Sequence, residues 1–425
     1  MISERSTCRA CYSNNLTPLF SLGSQYVNDF PLPADVYKAP RVPITLDLCN
    51  DCTMVQLRHT APQDLLYTRH YWYRSGVTDT MRVALRDITA TIEGLVDLRA
   101  GDVVLDIGSN DGTLLRSYSV PGLHTVGVEP ATNLAEEGAK GVHTFISDFW
   151  PSAVYKCKPA KAITAIGMFY DLEDPNPFIA AIAENLADDG LFVAQLMCLQ
   201  NMVELGDVGN FAHEHLEFYS LRSLQFLFRK HGLEIIDVET NTVNGQSYRL
   251  YCRHRGVLSV APKRGAHLRV EQALKAESSL NNPEFYRDFH LRLELNKDRV
   301  VRFVRRALTQ GKRVWVYGAS TKGNVILQYY HLNSSMIEGA AERSPEKWGR
   351  VTVGTGIPIY SEEEARKQKP DYFLVLPYAF ISEFLEREKA WQIQHGGKFI
   401  VPLPRPYVIG YEGGLHPLLR KEYIL

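Results

Sequence analysis

The order of apolar and polar residues predicts alternating strands and helices through the middle of the chain. Apolar runs typical of buried strands stand at residues 102–108, 124–130, 160–169 and 191–197. The segments between these runs repeat their apolar residues every three to four positions, which indicates helices. They are residues 113–119, 131–141 and 176–190. Strands that alternate with helices predict an α/β fold with a parallel sheet covered by helices.

The same pattern divides the chain into predicted domains. Residues 1–70 lack helical periodicity and predict a small N-terminal domain, and residues 71–255 hold the strand–helix series. Residues 256–285 lose periodicity and are interpreted as a linker. Residues 286–425 begin with a long amphipathic segment and continue as a second α/β pattern. A chain of 425 residues is long enough for such a division.

Composition and charge exclude several classes of protein. The 47 Lys and Arg residues balance 48 Asp and Glu residues, so neither nucleic acid nor an anionic membrane is an expected partner. No apolar window is long enough to predict a membrane span, and the first residues lack the apolar core of a secretory signal. We therefore expect a cytoplasmic enzyme that acts on a small molecule, as a monomer or a weak homodimer.

Two CxxC pairs, Cys8 with Cys11 and Cys49 with Cys52, indicate a four-cysteine zinc site. Each CxxC turn brings two thiolates to one edge of a tetrahedron, and two turns complete it. A chance pairing and a redox CxxC are the alternatives, although a redox motif needs only one pair. Four thiolates leave no open coordination position, so a structural zinc ion is predicted.

The stretch LDIGSNDGTLL, residues 105–115, has the glycine spacing of a nucleotide-binding turn, yet it carries acids. The predicted strand ends at Asp106, and Gly108 allows a tight turn beside Asn110. Phosphates favour a helix N-terminus without competing negative charge, so these acids favour a cationic ligand that has no phosphate. S-adenosylmethionine, with its sulfonium and amino groups, is such a ligand.

Two later acids suit the rest of that ligand. Glu129 ends the next predicted strand and could accept both ribose hydroxyls, and Asp148 could meet the adenine amino group. An acid about 20 residues after the glycine turn is also the signature of NAD binding, so Glu129 alone does not discriminate. A plain turn with surface acids and a dinucleotide site therefore stay open as alternatives.

The segment NFAHEHLEFYS, residues 210–220, concentrates His213, Glu214 and His215 just before a helix that Ser220 caps. Metal binding is one interpretation, although histidines two positions apart lack the one-face spacing of HExxH. A solvated polar loop is the second. The third is a general base, because the near-neutral pKa of histidine suits proton abstraction.

Together these motifs resemble the three-domain sugar C-methyltransferases of branched deoxysugar biosynthesis. The resemblance covers nearly the whole chain and rests on CRAC, CNDC, YWYRSGVTDTM, LDIGSNDGTLL, GVEPA, HEHLEFYSLRSLQFLFRKHGLEIIDVE, NGQSYRLY and YGASTKGN. It implies an N-terminal zinc domain, a central Rossmann-like domain of class I that binds S-adenosylmethionine, and a second, C-terminal Rossmann-like domain. It also implies that a nucleotide-linked keto sugar lies between the central and C-terminal domains.

The resemblance further implies roles for individual residues. His215 would remove the proton alpha to the ketone, and the enolate would then attack the methyl group in line with the sulfonium. Glu214 would orient the substrate, and Tyr73 would contact the sugar near the reacting carbon. Lys322 and Asn324, in the GASTKGN turn, would meet the nucleotide or its phosphates.

Three departures from the family fall on the acceptor side. Ala212 replaces the tyrosine that heads the histidine motif, and Tyr170 with Asp171 stands where some members have an active-site histidine. The segment NGQSYR, residues 244–249, replaces a glycine-rich stretch. Asp171 and His213 are interpreted as substrate-binding residues of this altered pocket.

Several functions stay open on the sequence alone. The same scaffold could methylate a nucleotide-linked keto sugar at carbon, or another small acceptor at carbon, oxygen or nitrogen. A NAD-dependent sugar oxidoreductase would use a similar fold with a different cofactor. A zinc-knuckle nucleic-acid-binding protein would need a basic stripe, which the balanced charge does not favour.

Overall fold

The computed structural model describes residues 2–62, 65–66, 72–241, 246–411 and 423–424. The first residue of the YWYRSG motif and residues 244–245 of the NGQSYR segment lie outside these ranges. The chain forms two compact units. One comprises residues 1–18, 47–200 and 214–282, and the other comprises residues 19–46, 201–213 and 283–425. Much of the segment predicted as an N-terminal domain is thus grouped with the C-terminal residues.

The N-terminal residues form strands, in keeping with their lack of helical periodicity. These strands are β1 (Ser3–Glu4), β2 (Leu16–Tyr26), β3 (Arg41–Cys49), β4 (Val55–Leu57) and β5 (His59–Thr60). A strand from much later in the chain, β11 (Glu217–Phe218), pairs antiparallel with β4. The resulting sheet has the order β11-β4-β3-β2. Because β11 follows His215 closely, this pairing helps to hold the His-Glu-His segment in place.

The central unit contains a doubly wound sheet. Its strands are β6 (Val103–Ile107), β7 (His124–Val128), β8 (Thr144–Ile146), β9 (Ala160–Ile166), β10 (Leu186–Met197), β12 (Leu233–Asn241) and β13 (Ser247–His254). They lie in the order β12-β13-β10-β9-β6-β7-β8. The five strands from β10 to β8 in this order are parallel, and β13 is antiparallel to both of its neighbours. The chain runs outward from β6 to β8 and returns on the other side with β9. A topological switch point therefore lies between β6 and β9.

Helices accompany this sheet, and polar side chains cap several of them. They are α1 (Asp79–Leu95), α2 (Ala135–Gly138), α3 (Pro175–Asn185), α4 (Leu199–Leu205), α5 (Leu221–Lys230) and α6 (Ala266–Ala276). Thr78 caps α1, Asp174 caps α3, and Ser220 forms a capping box with Ser223 on α5. Within the described ranges, no helix combines the length and the apolar character that a membrane crossing needs.

The helices differ from the sequence prediction in four places. The predicted helix at 131–141 is a 3₁₀ turn, Thr132–Leu134, followed by only four α-helical residues, Ala135–Gly138. After β6 only a single 3₁₀ turn forms, at Leu115–Ser117, because the chain becomes extended again at Tyr118. The predicted helix at 176–190 ends at Asn185, since Leu186 already pairs with Ala160 as part of β10. The segment 256–285, interpreted as a linker, contains α6. Most of that helix is exposed, so it needs no apolar stripe that a pattern could reveal.

The C-terminal residues form a second sheet of the same kind. Its strands are β14 (Val314–Tyr317), β15 (Ala340–Glu342), β16 (Ile359–Ser361), β17 (Tyr372–Val375), β18 (Lys398–Val401), β19 (Tyr407–Gly410) and β20 (Tyr423–Ile424). They lie in the order β16-β15-β14-β17-β18-β19-β20, parallel from β16 to β18. The helices are α7 (Pro283–Thr309), α8 (Thr321–Tyr329), α9 (Glu362–Lys367), α10 (Ile381–Arg387) and α11 (Lys389–His395). The predicted second α/β unit is thereby confirmed.

Each of the two sheets has its own apolar core. In the central unit Leu85 and Ile92 of α1 are buried with Val104 of β6. In the C-terminal unit Phe373 of β17 packs on Trp391 of α11, with ring centroids 4.7 Å apart. Each such side chain contributes about 1.5–3 kcal/mol by leaving water, so the strand ends are rigid platforms for the loops that follow them.

Candidate active site and zinc centre

A cavity of about 320 Å³ opens at the carboxyl ends of the central strands. Its lining comes from the residues that follow β6, β7 and β9 and from the end of β10. These include residues 106–110, Glu129, residues 166–168 and residues 195–197. Doubly wound sheets bind ligands outside the carboxyl ends of strands where the strand order reverses, and this cavity lies there.

The glycine turn after β6 is fixed to the end of β7. The backbone N–H groups of Gly108 and Ser109 both donate to the carbonyl oxygen of Val128, at 2.8 and 3.1 Å. Gly108 has a φ of +70°, and a Cβ built on it would lie 2.7 Å from Cγ of Met168. Asn110 has a φ of +52°, which asparagine tolerates better than most residues. The turn is therefore a backbone conformation that these residue types specify.

Two buried carboxyl groups face this turn. Asp106 is 3% exposed, and its Oδ1 accepts a hydrogen bond from Oγ1 of Thr164 at 2.6 Å. Burial raises the pKa of Asp106 to about 7. Glu129 accepts the N–H groups of Asn110 at 2.9 Å and Ala131 at 2.8 Å, and burial raises its pKa despite those bonds. A cationic ligand would relieve the cost of ionising both groups.

Asp148 and Tyr73 also line the cavity. The carboxylate of Asp148 accepts the N–H of Phe149 at 2.8 Å and the hydroxyl of Ser152 at 2.7 Å. Nδ2 of Asn110 donates a hydrogen bond to the carbonyl oxygen of Tyr73 at 3.2 Å, which connects the segment before α1 to the glycine turn. The Tyr73 side chain is 42% exposed beside the cavity.

The loop after β9 brings the His-Glu-His segment to the cavity wall. Tyr170 and Asp171 line the cavity. The carbonyl oxygen of Tyr170 accepts the N–H groups of Leu216 at 2.8 Å and Glu217 at 3.1 Å. The half-buried ring of His215 meets the Tyr170 ring edge-on, with centroids 4.7 Å apart. The imidazole of His215 thus contacts a residue of the cavity wall, while His213, Glu214 and His215 are not themselves among the described residues that line the cavity.

The four predicted cysteine ligands converge on one point. All four Sγ atoms lie within 4.8 Å of one another, with 3.4 Å between Cys8 and Cys52 and 3.5 Å between Cys11 and Cys49. A tetrahedral zinc ion with bonds of about 2.3 Å has sulfur–sulfur edges of about 3.8 Å, so this donor set fits zinc.

The two CxxC turns share one backbone geometry. In each, the N–H of the first cysteine donates to the carbonyl five residues later, and the N–H four residues later donates back to that cysteine. The fourth residue after the cysteine adopts a left-handed φ. These residues are Cys8, Tyr12 and Ser13 in the first turn and Cys49, Thr53 and Met54 in the second. The repeated turn presents the two thiol pairs in equivalent ways.

Family models match along the chain in the same order as these features. A zinc binding domain matches residues 8–67, a methyltransferase domain matches residues 79–238, and a C-methyltransferase C-terminal domain matches residues 242–404. The C-methyltransferase NovU of Streptomyces niveus is 30% identical over 420 residues, which is 96% of this chain and 98% of that protein. The chain belongs to the C-methyltransferase family.

Solved structures of methyltransferases resemble part of this C-methyltransferase. An S-adenosylmethionine-dependent methyltransferase from Clostridium acetobutylicum is 13% identical, with a TM-score of 0.33 over 42% of this chain and 94% of that one. The plantazolicin methyltransferase BpumL in complex with SAH is 13% identical, with a TM-score of 0.33 over 41% of this chain and 84% of that one.

The C-methyltransferase uses S-adenosylmethionine and binds zinc, and both fit its residues. When bound, S-adenosylmethionine supplies an electrophilic methyl group on a positively charged sulfur. Asp106, Glu129 and Asp148 are the acids that would hold it, and Gly108 and Asn110 line the same cavity. Because the chain belongs to a methyltransferase family, the interpretations as a NAD-dependent oxidoreductase and as a nucleic-acid-binding protein are set aside. The individual roles of these residues stay predictions.

Three predicted substrate contacts of the C-methyltransferase lie in the C-terminal unit, each engaged with protein groups. The ring of His213 is 2% exposed and donates from Nε2 to the carbonyl oxygen of Val42 at 2.9 Å, and burial lowers its pKa to about 4. Asn324 is 1% exposed and donates to the carbonyl oxygen of Asp29 at 3.1 Å. Burial lowers the pKa of Lys322, and nearby Asp207 opposes that shift. Their roles as ligand contacts stay predictions.

Sequence reasoning missed one residue that joins the zinc region to the cavity. Glu173 lines the cavity and binds the guanidinium groups of Arg5 at 3.0 Å and Arg9 at 3.3 Å. Arg9 stands inside the first CxxC turn and is fully buried. Nothing in the spacing of Arg9 and Glu173, which are 164 positions apart, indicates this pair.

Proposed function

We propose that this C-methyltransferase methylates the carbon alpha to the ketone of a nucleotide-linked sugar, with His215 as the base. The observation that carries this proposal is the edge-on contact of His215 with Tyr170, which lines the same cavity as Asp106 and Glu129. The resemblance to sugar C-methyltransferases supplies the acceptor class. A base is what transfer to carbon needs in addition to a methyl donor.

The chemistry explains why a histidine is required. A saturated sugar carbon is not nucleophilic, whereas a neighbouring ketone makes its C–H bond acidic enough for an imidazole to deprotonate. The proton moves from carbon to His215, and the C–H electron pair forms the enolate. The enolate carbon then bonds to the methyl group while the methyl–sulfur bond breaks. The ketone is regenerated, and S-adenosylhomocysteine leaves.

The surrounding residues lower the barrier by position. Holding base, acceptor and methyl group in near-attack geometry is worth up to about 7–11 kcal/mol. An anion and a cation are consumed together in the transfer step, so exclusion of water favours it. Glu214, beside the base, is proposed to orient the sugar, and Tyr73 is proposed to contact it near the reacting carbon.

Two assays test this function. Labelled S-adenosylmethionine is incubated with a panel of nucleotide-linked 4-keto and 3-keto sugars, and solvent deuterium exchange at the acceptor carbon is measured without the methyl donor. We expect His215→Asn to lower both rates at least about 100-fold. His267→Asn, on the exposed face of α6, is the matched control and should match the wild type. Full transfer by His215→Asn would instead indicate methylation at oxygen or nitrogen, which needs no enolate.

A further inference from the structure

Three carboxyl groups lie on two chain segments that contact each other at Tyr170. Asp171 lines the cavity, and Glu214 and Glu217 stand on the segment that donates two backbone hydrogen bonds to Tyr170. Oε2 of Glu217 accepts the N–H of Leu172 at 3.2 Å, so the two segments are in direct contact on both sides of Asp171. The charges of Glu214 and Glu217 both act on Asp171.

Two guanidinium groups near these acids bind Glu173. Arg9 donates to Oγ1 of Thr60 at 2.9 Å and to Oε2 of Glu173 at 3.3 Å, and Arg5 also binds Glu173. Glu217 is fully buried, and among the described residues its Oε1 has no hydrogen-bond partner. The two guanidinium groups thus pair with Glu173, and their charges also favour the ionised form of Glu217 against the effect of burial.

Carboxyl groups whose charges act on one another, and which are held away from water, do not all ionise. Burial, reinforced by Glu214 and Glu217, raises the pKa of Asp171 well above its usual range. Burial likewise raises the pKa of Glu217. Of these two acids, Asp171 belongs to the described cavity lining and Glu217 does not. Asp171 is thus the acid that a ligand would meet.

We propose that Asp171 is a neutral carboxylic acid that donates a hydrogen bond to the carbonyl oxygen of the acceptor and stabilises the enolate. This inference rests on the proposed function. His215 keeps the proton taken from carbon, negative charge develops on the acceptor oxygen, and the O–H of Asp171 donates to that oxygen without giving up its proton. An ionised Asp171 would repel the same oxygen. Other enzymes use a carboxyl group kept neutral by its surroundings in this way.

The pH profile of deuterium exchange tests this role. The titratable groups around Asp171 are Glu214, His215, Glu217, Tyr170, Glu173, Arg5 and Arg9. Wild-type exchange should first rise with pH as His215 loses its proton and then fall as Asp171 ionises. Asp171→Asn keeps an N–H donor but cannot ionise, so it should retain activity within about 10-fold and lack the fall.

Two further variants complete the set. Asp171→Leu has similar size but no donor, and it should lose about 100-fold or more. Asp188→Asn, at an exposed position of β10, is the matched control and should keep the wild-type profile. A high-pH fall that persists unchanged in Asp171→Asn overturns the role of Asp171.

An infrared measurement separates this proposal from the proposed function. In the S-adenosylhomocysteine complex at neutral pH, the wild type should show the carbonyl band of a protonated carboxylic acid, and Asp171→Asn should lose it. If the wild type and Asp171→Asn show the same carboxylic acid band, Asp171 is not neutral, and this result overturns the inference even where methyl transfer is normal. A wild type that exchanges no deuteron with any keto sugar overturns the proposed function, and the acceptor-oxygen role falls with it.

Discussion

The glycine turn after β6 and the glycine turn after β14 begin alike and end differently. Each follows the first strand of a doubly wound sheet, and each holds a glycine with left-handed φ, +70° at Gly108 and +82° at Gly318. The first turn opens onto a cavity of about 320 Å³. At the second turn, Nζ of Lys347 donates to the carbonyl oxygen of Ala319 at 2.7 Å, and Lys347 is 9% exposed.

The charges around the two turns also differ. At the first turn the buried acids Asp106 and Glu129 both have raised pKa values, because burial disfavours their ionised forms. At the second turn Lys347 lies 3.6 Å from Glu342, the acid that ends the next strand, so the protein supplies the counter-charge itself. A glycine turn read from sequence thus predicts a backbone shape, whereas the side chains from elsewhere decide whether a ligand finds room there.

The sharpest test of this comparison removes the strand-end acid at each turn. Glu129→Ala should weaken S-adenosylhomocysteine binding about 100-fold, or about 2.7 kcal/mol, because an acceptor for the ligand and for Asn110 is lost. Glu342→Ala, at the matching position of the second sheet, should leave that affinity within about twofold. Isothermal titration calorimetry measures both. Equal losses in the two variants would mean that the turns do not differ as described.

Adding a methyl group at each turn has the next largest effect. A Cβ on Gly318 would lie 2.5 Å from Cγ of Pro377, a rigid ring, and we expect Gly318→Ala to cost about 2 kcal/mol of stability. A Cβ on Gly108 meets Met168, which can move, so Gly108→Ala should cost about 1 kcal/mol but also weaken cofactor binding. Thermal unfolding midpoints with and without S-adenosylhomocysteine compare the two. If S-adenosylhomocysteine raises the unfolding midpoint of Gly108→Ala as much as that of the wild type, this account is contradicted.

Local sequence signals predicted the first turn and the zinc site because their geometry is set within a few residues. Each CxxC turn closes with hydrogen bonds inside six residues, and Gly108 needs its φ whatever surrounds it. The α/β alternation likewise reports the burial of each strand in turn. These features required no knowledge of distant contacts.

The acceptor side depends on contacts that no local pattern contains. His213 and His215 are two positions apart, yet one ring donates to Val42 inside the C-terminal unit and the other meets Tyr170. From the spacing alone, both histidines are equal candidates for the general base. Only the pairing of β11 with β4 and the hydrogen bonds to Tyr170 distinguish them, and those partners lie far away in the sequence.

A smaller effect should appear in the pH dependence of cofactor binding. Because the pKa of Asp106 in the free protein is about 7, its ionised form becomes available as the pH rises through 7. Binding of a ligand with an ammonium group should therefore tighten several-fold between about pH 6 and pH 8, with proton release. Asp106→Asn should flatten this dependence, whereas Asp207→Asn, a buried acid of the other unit, should keep it. Titrations in buffers of different ionisation enthalpy count the protons.

The smallest effect is expected from Lys347, and its sign depends on pH. Burial lowers the pKa of Lys347, so the folded state binds this proton less tightly than the unfolded state and gains stability as the pH rises toward the ordinary lysine value of about 10.4. Lys347→Met removes the buried charge but also the bond to Ala319, so near pH 7 the unfolding free energy should change by less than about 1 kcal/mol. Relative to the variant, the wild type should gain stability as the pH rises toward the ordinary lysine pKa. Binding of S-adenosylhomocysteine should not change, because the ammonium group of Lys347 donates to a protein carbonyl at the turn after β14 and not to a group at the turn after β6. A Lys347→Met protein with altered cofactor affinity would show instead that the second turn takes part in donor binding.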